Sequence, residues 1–147
     1  MPDTSDRPLL GVSVCVSDGA RILLIERGRG AFEGKLSLPG GKVRFGERLE
    51  AAARRELREE TGLDLEELVF VTLHEAIGDG VHAVIAVFAA RLPAGARPRA
   101  GDDAASTSVL TIDEVRWAES QNRTTDGLAG VAERAVHILF PHGVNRV

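Results

Sequence analysis

The sequence predicts a mixed α+β domain, a sheet with antiparallel hairpins packed by helices. Three observations predict it. Asp18-Gly19 and Gly78-Asp79-Gly80 each separate two runs rich in Val, Ile, Leu and Ala, and such hairpins require antiparallel neighbours. Residues 47–61 and 124–140 carry helical periodicity and interleave with those runs, which argues for helices on a mixed sheet rather than a doubly wound parallel fold. A chain of 147 residues, 44% hydrophobic and 27% charged, has the size and balance of one globular domain that builds its core without disulfides.

The elements follow in order. Residues 1–8 are polar and proline-bearing and read as a flexible leader, with residues 9–147 as the domain. Residues 11–17 and 21–27 are the first pair of strands. Residues 28–35 form a glycine-rich, partly basic loop, Leu36-Ser37-Leu38 is a short strand stopped by Pro39-Gly40-Gly41, and Val43-Arg44-Phe45 is a further short strand ended by Gly46. Residues 47–61 are rich in Ala, Leu, Glu and Arg, all good helix formers, and Gly62 is a natural stop. Residues 68–77 and 81–92 form the second hairpin, and 93–105 are a long loop carrying Pro93, Gly95, Pro98 and Gly101. Residues 106–112 are a strand, Asp113-Glu114-Val115 a helical turn, and 124–140 a closing helix with Leu128, Val131, Ala135, Val136, Ile138 and Leu139 inward.

Composition excludes some functions. A net charge of −4 disfavours non-specific binding to nucleic acid or to an anionic membrane. No apolar run nears the ~20 residues that span a bilayer, and the start of the chain lacks the apolar core of a signal peptide. The single cysteine, Cys15, lies in the apolar run Val12-Ser13-Val14-Cys15-Val16. It reads as a small buried hydrophobe, and the lack of any disulfide within the chain points to a reducing, cytoplasmic setting.

The helix over 47–61 carries the chemistry. Leu49, Ala53 and Leu57 recur every four residues and form a buried stripe. Glu56 lies seven residues after Leu49, and Glu60 seven after Ala53, so each shares an azimuth with an apolar residue to within roughly 20°. Glu59 flanks the same face, whereas Arg54, Arg55 and Arg58 point largely the other way. A solvated acidic patch would lie opposite the apolar stripe, and these carboxylates do not. Carboxylates crowded toward a core repel one another and resist desolvation unless a cation sits among them. Hard oxygens at this spacing suit Mg²⁺ or Mn²⁺, and the helix holds no His or Cys for a zinc-type site. The preceding Pro39-Gly40-Gly41 lets the backbone approach a ligand closely and offers a Gly40 or Gly41 carbonyl as a further donor.

The stretch from Gly41 to Leu63 reads Gly41, five residues, Glu47, seven residues, Arg55-Glu56-Leu57-Arg58-Glu59-Glu60-Thr61-Gly62-Leu63. This resembles the complete signature box of the Nudix hydrolase superfamily, and the order of hairpins and helices around it resembles that family over most of the chain. The resemblance implies the Nudix α/β/α sandwich and hydrolysis of a phosphoanhydride in a nucleoside diphosphate derivative such as ADP-ribose, with Mg²⁺ (or Mn²⁺) as cofactor. It implies Glu56, Glu59, Glu60 and the Gly41 region as metal ligands and Glu47–Arg55 as a structural pair. The general base is a box glutamate (Glu59 or Glu60) or a later acid. The run Gly101-Asp102-Asp103-Ala104-Ala105 resembles one in the ADP-ribose-pyrophosphatase-like group, which makes Asp103 the leading later acid, beside Asp102, Glu75 and Asp79.

Arg27, Arg29, Lys35 and Arg44 are candidate phosphate contacts, Phe32 a candidate for stacking on a base, and His74 and His82 further substrate candidates. This chain departs from relatives in having Leu36 where many carry an aromatic residue, Gly78-Asp79 where some ADP-ribose hydrolases carry proline, and no tyrosine at all. The other readings are a house-cleaning pyrophosphatase acting on oxidised or non-standard nucleoside triphosphates and a non-catalytic ligand sensor. Dimers are common among similar proteins, so a homodimer is a further expectation.

Overall fold

Two strands, β1 (Leu9–Ser17) and β2 (Arg21–Arg27), are central because they are apolar on both faces. Ile22, Leu23, Leu24 and Ile25 are buried to 2% exposure or less, and burying such side chains fully contributes about 1.5–3 kcal/mol each. The computed structural model describes residues 7–28, 33–78, 80–99, 101 and 104–143. Of the leader expected over 1–8, residues 1–6 lie outside them. The remaining elements are β3 (Leu36–Ser37), β4 (Gly40–Lys42), α1 (Leu49–Thr61), β5 (Val69–Gly78), β6 (Val81–Arg91), β7 (Ala104–Thr111), α2 (Ile112–Ser120) and α3 (Leu128–Leu139).

The strands form one mixed sheet in the order β3-β2-β1-β6-β5, with β4 also paired to β1 and β7 to β2. β1 and β6 run parallel from Leu9↔Ala83 to Ser17↔Arg91; the other pairings are antiparallel. Side-chain alternation along β1 divides the core. Val12, Val14 and Val16 pack with Ala52, Ala53 and Leu57 of α1. Cys15 faces the other way, among Val115 of α2 and Leu128, Ala132 and Ala135 of α3. The sheet is therefore sandwiched between α1 and the α2–α3 pair, as expected. No helix among the described residues is long and apolar enough to cross a membrane.

Burial pushes the Cys15 thiol up to about 12, so the reactive thiolate is suppressed. Native protein should leave Cys15 unmodified by Ellman's reagent at pH 8, with one thiol appearing only on unfolding. Rapid modification of the folded protein would contradict this burial.

Several element bounds differ from expectation. The expected strand at Val43–Phe45 is replaced by β4, over Gly40–Lys42, because the glycine pair lies flat on β1. A Cβ on Gly40 would stand 2.1 Å from the Val12 carbonyl oxygen. The first helix starts at Leu49 rather than 47, after Arg48 in extended backbone, and closes on Gly62 at φ 76°. The expected turn at 113–115 is a full helix, α2, opened by a capping box between Thr111 and Glu114. The closing helix starts at Leu128 rather than 124, since Leu36 N–H donates to Arg123 O and Thr125 N–H to Leu36 O, tying that segment to β3. Ile138, expected inward, is 37% exposed.

Candidate active site

α1 lies beside the free edge of β4, and backbone geometry sets what that edge offers. Val14 N–H donates to Pro39 O and Val43 N–H to Leu10 O, and Val12 is in register with Gly41. Val12 and Gly41 therefore occupy the hydrogen-bonded position between those two, which directs the Gly41 carbonyl toward β1. The polar groups of Gly40 and Lys42 point to the opposite edge, toward α1. Gly40 N–H donates to Glu60 Oε2 at 3.1 Å, and Lys42 O accepts from Arg55 Nη2 at 3.0 Å. This alternation favours Gly40 over Gly41 as the carbonyl donor beside the carboxylates.

Gly41 has a different use. An added Cβ would lie 2.5 Å from the Cδ and Oε1 of Glu56, so the missing side chain is what lets that carboxylate lie against the strand. Glu60 is 9% exposed. Glu56 and Glu60 thus turn toward β4, while Glu59, a third exposed, lies beside Arg55 and Arg44.

Arg55 does not follow its expected azimuth. Its i,i+4 spacing sets it beside Glu59, and its long side chain, 10% exposed, reaches Glu47 and Glu56 as well. Nε and Nη2 donate to Glu47 Oε2 and Oε1 at 2.7 and 2.9 Å, and Nη1 donates to Glu56 Oε1 at 2.7 Å and Glu59 Oε2 at 3.2 Å. Bidentate contact of this kind is what a planar guanidinium does best. Hydrogen bonds from Arg55, then from the Arg44 N–H, hold the Glu47 carboxyl down at about 2. The Glu47 hydrogen bonds in turn raise the guanidinium's proton affinity above its usual value.

A depressed carboxyl contributes stability that is fully present above its ordinary value near 4.5 and is lost as pH falls through about 2. Urea midpoints between pH 5 and 3 should therefore fall more steeply in the wild type than in Glu47→Gln. Parallel curves would remove Glu47 from the acid sensitivity of the fold.

Glu47, Glu56, Glu59 and Glu60 outnumber their neighbouring guanidiniums, Arg55 and the more distant Arg44, whose Nη2 is 3.7 Å from Glu59 Oε1. Among the described residues no three carboxylate, imidazole or thiol groups yet converge on one point. The donor chemistry is nevertheless hard oxygen throughout, with excess negative charge on one helix face, and it fits a divalent cation of the Mg²⁺ class.

On the other side of Gly40-Gly41 opens a cavity of about 540 Å³, within the range of small-molecule sites. Its floor is the α3 side of the sheet, with Gly11 and Ser13 of β1 and Ala83 and Ile85 of β6; Leu128 and Val131 of α3 form the opposite wall. Arg27, His74 and Asp126 also line the cavity. His74 Nε2 lies 3.1 Å from Asp126 O, which pins α3's entry to β5.

Of the expected substrate contacts, Arg27 and His74 line this cavity, whereas Arg44 sits by Glu59 and the Lys35 ammonium reaches Asn122 Oδ1 at 3.4 Å. Glu75 and His82 lie on β5 and β6 and are not among the lining residues. Arg29, Phe32, Asp79, Asp102 and Asp103 lie outside the described residues. Gly101, next to Asp102 in the chain, donates its N–H to Glu60 O at 3.1 Å, and Arg99 N–H donates to Thr61 O at 2.7 Å. Arg99 and Gly101 are thereby fastened to the end of α1 that carries the glutamates. Sequence reading missed Asp126 and Ile85. Their one signal is small residues, Gly11 and Ser13, interrupting an apolar strand.

Known proteins resemble this chain in sequence and in fold. An ADP-ribose pyrophosphatase from Methanocaldococcus jannaschii is 33% identical over 110 residues, which span 74% of this chain and 64% of that protein. A nucleoside triphosphatase, NudI, from Escherichia coli O139:H28 is 50% identical over 50 residues, 33% of this chain and 36% of that protein. The matched stretches thus cover less than two thirds of both relatives. The crystal structure of a MutT NUDIX hydrolase from Burkholderia pseudomallei superposes with a TM-score of 0.74 at 28% identity, covering 88% of this chain and 98% of that one. The family model described as the NUDIX domain matches residues 7–128, a span that contains the β4 edge, the glutamate helix and most of the cavity, and the chain belongs to the Nudix family.

Proposed function

We propose that the protein is a divalent-metal-dependent pyrophosphohydrolase that cleaves a phosphoanhydride bond in a nucleoside diphosphate derivative, with ADP-ribose the first candidate. The observation that carries this reading is the shared position of Gly40-Gly41. One edge of β4 meets Glu56 and Glu60, and the same residues line the cavity. A nucleoside held between Ile85 and Val131 would have its phosphates delivered to the carboxylates.

Glu60, Glu56 and Glu59 would hold Mg²⁺ or Mn²⁺, with the Gly40 carbonyl as a further donor. When bound, such an ion neutralises pyrophosphate charge and makes an attacking water more acidic. The chain's own groups do the rest. Glu59, a third exposed, and Asp103, in the segment after Gly101, are the candidates to take the water's proton. Arg27 would hold phosphate charge in the cavity and Arg44 beside Glu59, and His74 keeps α3's entry in place. Arg29 and Phe32 remain substrate candidates from the sequence.

The likeness to NudI favours a second reading, a pyrophosphatase of nucleoside triphosphates. A panel of ADP-ribose, nucleotide sugars, dinucleoside polyphosphates and modified deoxynucleoside triphosphates, compared by kcat/KM with Mg²⁺, separates the two. The first reading expects ADP-ribose to lead and EDTA to abolish turnover. Leading triphosphates would install the second, and turnover surviving EDTA would overturn both. No turnover of any substrate would leave a ligand sensor.

We also propose a cytoplasmic homodimer. The buried, unpaired Cys15 suits a reducing compartment, and β5, an edge strand, exposes Leu73 and Ile77 at 59% and 63%, a face suited to a second copy. Light scattering reads the mass directly, and a monomer at micromolar concentration would refute the dimer.

A further inference from the structure

Arg55 carries five N–H donors, and each meets an oxygen. Three hold the end of β4 and the loop after it, through the Lys42 carbonyl and both oxygens of Glu47. The two on Nη1 go instead to Glu56 and Glu59. The guanidinium therefore has one edge on the scaffold and one corner on the carboxylates assigned above to the cation.

Those carboxylates are unequally tied. Glu60 is buried and fixed to Gly40 N–H at 3.1 Å, and Glu56 is wedged against Gly41. Glu59 is a third exposed, and its contacts are longer, 3.2 Å to Arg55 and 3.7 Å to Arg44. Because the three carboxylates do not converge as they stand, gathering them on one ion requires a side chain to turn, and Glu59 is the one least held. Turning it takes its oxygen from Nη1. An ion beside Glu56 also places a second positive charge near that same corner.

We propose that the Nη1 corner of Arg55 is a resident counter-ion that exchanges with the divalent cation. It holds Glu56 and Glu59 before metal loading and gives up Glu59, with a loosened grip on Glu56, when the ion binds. The Nε and Nη2 grip on Glu47 and Lys42 O persists throughout. Arg55 is then a positioning residue with two jobs, one permanent and one exchangeable. The inference rests on the metal-binding reading of Glu56, Glu59 and Glu60.

Nuclear magnetic resonance of the intact protein, ¹⁵N-labelled at arginine and ¹³C-labelled at glutamate, tests it. EDTA-treated, dialysed protein is titrated with MgCl₂ at low temperature, and both the Arg55 guanidinium protons and the Glu56, Glu59 and Glu60 carboxyl carbons are followed. Before Mg²⁺, Nη1 protons held by two carboxylates resonate separately from bulk-averaged guanidinium signals. On saturation they should lose that separate resonance while the Nε–H, held by Glu47, stays in place. Carboxyl shifts showing bound Mg²⁺ with unchanged Nη1 protons would overturn the exchange and leave the metal site standing. Carboxyl carbons that never respond to Mg²⁺ would overturn the metal reading itself, and the exchange with it.

Discussion

Glu60→Gln is expected to lower kcat by roughly two to three orders of magnitude, because the stabilisation supplied by a correctly held ion is several kcal/mol at about 1.4 kcal/mol per tenfold. The fold should survive the change. Glu60 is 9% exposed and its Oε2 accepts the Gly40 N–H, and the glutamine amide oxygen fills the same volume and accepts the same bond. What disappears is the negative charge and its capacity as a ligand. The informative comparison is kcat at saturating substrate and Mg²⁺ beside the thermal midpoint of each protein. A loss of less than tenfold with an unchanged midpoint would take Glu60 out of the metal set. A collapsed midpoint would instead make the carboxylate a structural group of the β4 edge.

How much of this was legible in the chain depends on the range of the interaction involved. The α1 glutamates were readable because helical spacing is local and fixed, and an apolar stripe in register with Glu56 and Glu60 already says which way they face. The two hairpins were readable from Asp18-Gly19 and Gly78-Asp79-Gly80 for the same reason. Arg55 was misplaced because its i,i+4 spacing to Glu59 already puts the two on one face, a relation the apolar stripe does not show, and its long side chain reaches on to Glu56. The Gly40-Gly41 pair looked like a turn. Its extended conformation depends on contact with Val12 and Ser13, nearly thirty residues earlier in the chain. The Thr111–Glu114 capping box is a local signal too, and it extends the expected turn into the full helix α2. The cavity is different in kind. Its floor and far wall come from β1, β5, β6 and α3, with β2 and β4 contributing Arg27 and Gly40-Gly41, and the β1–β6 adjacency is a parallel pairing that no local pattern announces.

The same distinction predicts that two neighbouring glycines fail in opposite ways. A Cβ on Gly40 would sit 2.1 Å from Val12 O and 2.8 Å from Ser13 Cα. Both are backbone atoms of a strand locked to β6 over nine register positions, so β1 cannot step aside and β4 must detach. Gly40→Ala is therefore expected to cost about 3 kcal/mol, the upper part of the usual range for overpacking, or roughly 6–12 °C of thermal midpoint for a chain of this size. The three atoms nearest a Cβ on Gly41 all belong to the Glu56 carboxyl group, the first at 2.5 Å, the far end of a side chain that can rotate away. Gly41→Ala should melt within a few degrees of wild type (about 1 kcal/mol) yet bind Mn²⁺ more weakly, because Glu56 loses the surface that aims it. Differential scanning calorimetry and Mn²⁺ titration of both variants read the two axes separately. If Gly41→Ala lost the fold and kept the metal while Gly40→Ala did the reverse, the division of labour along β4 would be wrong. One glycine would then admit the strand to β1 and the other admit the carboxylate to the strand in the opposite assignment to the one the contacts support.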